Sequence, residues 1–155
     1  MASKESIITT AMIVLVIYTV TLSFVSQTFS ASQVTRTVPN SGSIQIETSP
    51  GIGLYLDCNC SLPEKSLEWG RIEPGNYQSI SLYIKNESPE GMIFSIKTSK
   101  WEPAIALDYI NLNWDYNGQE VKSGEVIQIL LTLAVDSDIE GVTDFNFDIL
   151  IAGVQ

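Results

Sequence analysis

The chain has 155 residues, 45% of them apolar, and a formal net charge of −10. That length suits one domain plus a targeting element. Histidine is absent, which excludes Ser-His-Asp and Cys-His nucleophiles and every histidine-based zinc site, so no enzyme of those types is expected. The acidic balance opposes binding to nucleic-acid phosphates and to anionic lipid headgroups, so nucleic acid is not an expected partner.

The chain opens with MASKES, then an uncharged run over residues 7–25, IITTAMIVLVIYTVTLSFV. A signal-peptide core is about 7–15 residues and a membrane span about 20, so the run reads as one hydrophobic helix that meets the membrane. Residues 1–32 are therefore a signal or transmembrane anchor, and the remainder is placed outside the cytoplasm. Ser30, Ala31 and Ser32 are small enough for a signal peptidase, so cleaved and anchored forms both stand. A pilin-type helix packed in a filament core is a third reading, compatible with Thr9, Thr10, Thr19, Thr21 and Ser23. No Lys/Arg-Gly prepilin site precedes the run.

Residues 33–42 are a stalk, a first strand or a donated strand. The stretch Gln33, Val34, Thr35, Arg36, Thr37 and Val38 is rich in β-formers and could add to the sheet edge of a neighbour.

From Ser43 onward apolar and polar residues alternate with period two. The inward sets are Ile44 and Ile46; Leu54 and Leu56; Ile80, Leu82 and Ile84; Met92, Phe94 and Ile96. Next come Ile110, Leu112 and Trp114, then Ile127 through Val135 at alternate positions, and last Phe145, Phe147, Ile149 and Ile151. An eighth strand is expected near Leu67 to Ile72. Turn signals such as Pro50-Gly51, Pro74-Gly75, Asn117-Gly118 and Glu140-Gly141 separate them. The sequence WEPAIALDY from Trp101 predicts one short helical turn. The expected fold is all-β: an immunoglobulin-like antiparallel β-sandwich of 7–8 strands over residues 43–155, preceded by one N-terminal hydrophobic helix.

Several residues are candidates for chemistry, each beside a plainer reading. Cys58 and Cys60 are the two cysteines; they form a disulfide candidate in an oxidising compartment, or remain free loop thiols. Asn59 and Asn86 head N-x-S sequons and are glycosylation candidates. Asp136, Asp138, Glu140 and Asp144 are calcium candidates, against a solvated acidic turn. No other cofactor is expected. Trp69 and Trp101 could form a stacking platform for sugars or could pack in the core, and Trp114 falls on an inward face.

The segments TVPNSGSI, SLEWGRIEPGNYQSISLYIKN, TSKWEP, INLNWDYNGQEVKSGEVIQILLTLAV and TDFNFDILIAG resemble those of short archaeal surface proteins. Those proteins carry one N-terminal anchor and one immunoglobulin-like domain, and the resemblance covers nearly the whole chain. More loosely, IEPGNYQSISLYIKN is similar to an element of fibre-forming proteins of the TasA/camelysin type and related archaeal bundling pili. That similarity implies extracellular filaments built by donation of an N-terminal strand, here residues 33–38. Some members of that group carry a metalloprotease label, to which a chain without histidine gives no support. The reading is a structural protein of the cell surface or of a filament, partnered by itself or by other surface proteins and by the membrane through residues 7–25. The alternative is an anchored module that binds glycan or protein.

Overall fold

Nine strands run through residues 37–154, the part of the chain that the computed structural model describes. The hydrophobic run of residues 7–25, and Gln33 to Arg36 of the stalk or donor stretch, lie outside that range. The strands are β1 (Asn40–Ser41), β2 (Ile44–Thr48), β3 (Ile52–Tyr55), β4 (Ser66–Leu67) and β5 (Tyr77–Asn86). They continue with β6 (Ile93–Glu102), β7 (Ile110–Trp114), β8 (Val126–Val135) and β9 (Asp144–Val154). The expected helical turn is a 3-10 turn over Ala104–Asp108. Among the described residues no helix is long and apolar enough to cross a membrane.

The strands form two sheets. In the first, β9 is flanked by β6 on one side and by β1 and β2 on the other, and β4 continues outward from β2. The second runs β3-β5-β8-β7. From β2 onward only β7 and β8 are sequence neighbours within one sheet, so every other connection passes between the sheets.

The expected all-antiparallel pairing needs one correction. β1 and β2 both lie parallel to β9, with Ser41 opposite Phe145 and Ile46 opposite Ile149. Period-two alternation sets which face a side chain takes, not the direction of the neighbouring strand. The strand near Leu67 is also shorter than expected. Its backbone leaves the ladder because the N–H groups of Trp69 and Gly70 donate to Ser41 Oγ at 2.8 and 2.9 Å. The Ser41 N–H in turn donates to the Gly70 carbonyl.

The inward residues of both sheets belong to one cluster of buried side chains. Phe145, Phe147, Ile149 and Ile151 of β9 sit within it, each at most 2% exposed. Burying an aliphatic or aromatic side chain of this size contributes about 1.5–3 kcal/mol, so β9 is the main anchor of the first sheet. Leu56 departs from its expected inward place and is exposed. The strand ends at Tyr55, and Asp57 then closes a turn by accepting the N–H groups of Ser61 and Leu62. At the β2–β3 corner Gly51 has φ +83, a left-handed conformation that glycine adopts without steric cost.

Candidate functional site: an edge, a cleft and a carboxylate-free face

β6 is the longest strand with a free side. Among the described residues it pairs only with β9. The N–H of Phe94 points away from β9 and donates to the Tyr116 hydroxyl at 3.2 Å. Backbone direction alternates along an antiparallel ladder. Ile96 and Thr98 therefore also present their N–H and C=O groups outward, and Lys97 turns its own toward β9. The regular edge stops at a register shift between Ser99 and Glu102.

A cleft of about 430 Å³ opens beside the far end of this edge. Thr98 and Trp101 line it from the first sheet, Ile110 and Leu112 from the second, and Asp108 and Asp136 bring carboxylates to it. Trp101 is half-buried. Its ring lies flat on Phe147, with centroids 4.0 Å apart and planes 16° from parallel, and its Nε1–H donates to Thr98 Oγ1. Trp69 is buried at 4% exposure and stacks on the same Phe147 more distantly. Of the two readings of Trp69 and Trp101, the sugar platform is not formed, because Trp69 packs in the core. Trp114 is partly buried against the core, tilted against Tyr116.

The outer face of the second sheet is of a different kind. β5 presents Tyr77, Ser79, Ser81, Tyr83 and Lys85 there, and β8 presents Gln128, Leu130, Thr132 and Ala134 opposite them. Asn111 and Asn113 of β7 and Tyr55 of β3 complete it. None of these is a carboxylate. Ser79 and Thr132 share a hydrogen bond of 2.8 Å, and Gln128 Nε2 donates to Ser81 Oγ at 2.6 Å. Carboxylate residues border the face, with Asp136 beside Asn111 and Ala134 at the end of β8, and two of them are engaged with it. Glu87 accepts the Tyr55 hydroxyl at 2.7 Å, and Asp115 accepts the N–H of Leu130 at 2.8 Å. The bond to Glu87 holds the Tyr55 phenol protonated and pushes its pKa up to about 12. The Ser/Tyr alternation of β5 was the visible signal for this face, and sequence reasoning used it only to find the strand.

The outer face of the first sheet carries charge instead. Lys100 Nζ lies 2.5 Å from Asp148 Oδ2 and 3.7 Å from Glu47 Oε1, tying β6 to β9 and β2.

The remaining candidates separate. Asp136 Oδ1 accepts the N–H of Asp138 at 2.9 Å, Ile139 turns into the core, and Asp144 begins β9 opposite Asn40. Among the described residues no three carboxylates or thiols gather into a metal-sized group. The calcium candidates Asp136, Asp138, Glu140 and Asp144 thus do not converge, because the chain between them folds inward at Ile139. Cys58 and Cys60 are unbridged, Cys58 exposed and Cys60 partly so, the arrangement of the free-thiol alternative. Asn59 is exposed in the same turn. Asn86 is 0% exposed. Its amide nitrogen donates to the carbonyls of Glu90 and Val121, so the atom that would bear a glycan has no room for one. Thr37 and Val38 lie outside any strand, and pairing begins at Asn40.

No protein-family model matches this chain, and no curated protein matches it.

Proposed function

We propose that this chain is an extracytoplasmic structural subunit of a cell surface or filament, assembling by β-strand pairing, with β6 as the receiving edge. The observation that carries the reading is the one-sided pairing of β6. An open row of backbone donors and acceptors is a template for an added strand. Beyond the Phe94 N–H, which the Tyr116 hydroxyl already accepts, the free part of that edge spans residues 95–99, one residue shorter than residues 33–38, the donor stretch read from the sequence. The uncharged run of residues 7–25 supports export and a membrane anchor or signal. Two sheets around one aromatic-rich core support an immunoglobulin-like sandwich in the broad sense, in which architecture is shared without strict strand order.

The cleft favours a second reading, an anchored module that takes a glycan or an extended peptide against Trp101. Only one face of that ring is covered by Phe147.

Proline scanning of the edge tests the first reading. Thr98→Pro removes no bond to β9 and blocks strand addition, whereas Lys97→Pro removes a ladder bond. Electron microscopy of cells expressing the full chain should show filaments or surface arrays for the wild type and none for Thr98→Pro, with circular dichroism of that variant unchanged. Assemblies that survive Thr98→Pro would sink the proposal.

A further inference from the structure

We propose that the outer face of the four-stranded sheet is a self-association surface, receiving the same face of a second copy. This contact uses a sheet face and not an edge, and it stands whether or not β6 pairs with a donated strand.

Charge decides where two copies can meet. At a net charge of −10 they repel at most orientations. The strand positions of this face carry one lysine and no carboxylate. It is therefore where like-charge repulsion is smallest.

The hydroxyls and amides of the face decide what kind of partner fits. Ser79 with Thr132, and Ser81 with Gln128, already share one hydrogen bond each. Such pairs cost less to cover than unpaired hydroxyls and amides, because part of their hydrogen bonding is kept on burial. A glycan partner gains most from free donors and acceptors, and each of these four groups has already spent one on its neighbour. A protein surface gains from apolar and aromatic area, which Leu130 at 41% exposure and Tyr77 at 71% supply. Tyrosine-rich, charge-poor composition marks the centre of protein interfaces. Leu130 and Ser81 are cross-strand partners in the middle of the sheet, so Leu130 is placed as the anchor.

Site-directed cross-linking of the full chain in detergent micelles tests this, in a background carrying Cys58→Ser and Cys60→Ser. With a short bismaleimide, Leu130→Cys should give several-fold more covalent dimer than Leu150→Cys, an exposed position on the outer face of the other sheet. Adding Tyr83→Glu, which puts a carboxylate on the face, should abolish that dimer, and adding Thr98→Pro should leave it intact. Equal dimer from Leu130→Cys and Leu150→Cys, or none from a Leu130→Cys protein with native circular dichroism, would overturn the proposal. So would loss of the Leu130→Cys dimer with Thr98→Pro, which would assign the contact to the edge.

Discussion

Asn86 and Ser88 are locked together: Asn86 Oδ1 accepts both the N–H of Ser88, at 2.9 Å, and its hydroxyl, at 2.7 Å. With the two bonds to the carbonyls of Glu90 and Val121, every polar atom of the buried amide is used. Asn86→Ala orphans these partners and should lower stability by about 3 kcal/mol in urea unfolding. Mass spectrometry of exported protein should find any N-linked glycan at Asn59, and Asn59→Gln should remove it. A glycopeptide at Asn86 would contradict the buried amide.

Trp101 is held by its stack on Phe147 and by one hydrogen bond to Thr98. Trp101→Ala should cost about 2–3 kcal/mol, since the ring is half-buried, and Trp101→Phe about 1 kcal/mol. Chemical denaturation checks both. A loss below about 0.5 kcal/mol for the alanine variant would mean that the stack contributes nothing to the fold.

Tyr55 supplies a pH dependence. Its phenol has a pKa of about 12 in the folded chain against an ordinary 10.0. The folded state thus favours the protonated form. The contribution is full below pH 10 and is lost as the pH rises toward 12. Tyr55→Phe should flatten the stability profile over that window, and the difference in absorbance titration near 295 nm should show one phenol ionising about two units late. Gly53 lies under this ring: a Cβ there would come within 2.5 Å of Tyr55 Cε2. Gly53→Ala should therefore move the ring off Glu87 and bring the late ionisation back toward 10.

Lys100 combines an ion pair with backbone strain. Its φ is +54, and its hydrogen bond and attraction to Asp148 hold the ammonium pKa above the ordinary value. That contribution is present below the usual lysine pKa and fades as the pH rises through the folded one. The Lys100–Glu47 contact is largely exposed at both ends and contributes little, but Asp148 is mostly shielded, so Lys100→Ala leaves its carboxylate unpaired and should destabilise the fold modestly, less with added salt. Lys100→Gly should be more stable than Lys100→Ala, because glycine relieves the left-handed strain. The reverse order in thermal unfolding would exclude strain at this position.

The strands were legible wherever alternation ran long. β5, β8 and β9 follow it through ten or eleven residues, and the 3-10 turn follows from the interruption at Pro103. The burial of Asn86 is also in the pattern: it continues the inward phase of Ile80, Leu82 and Ile84, against the surface position that a sequon implies. Three features were out of reach. The parallel partnership of β1 and β2 with β9 links residues about a hundred positions apart, and periodicity carries no partner. The acidic turn alternates like a strand until Ile139 folds into the core. Trp69 is withdrawn from the surface by a stack on Phe147, a residue from the far end of the chain.

The central place of β9 has a consequence for how the domain is made. This strand is the last of those described, yet it lies between β2 and β6. The first sheet has no middle until β9 has emerged from the ribosome, so its strands cannot close on one another during synthesis. Such late, long-range pairing makes folding slow. On the proposed route out of the cytoplasm that delay is useful, because a polypeptide that has not folded can still be threaded through a narrow channel.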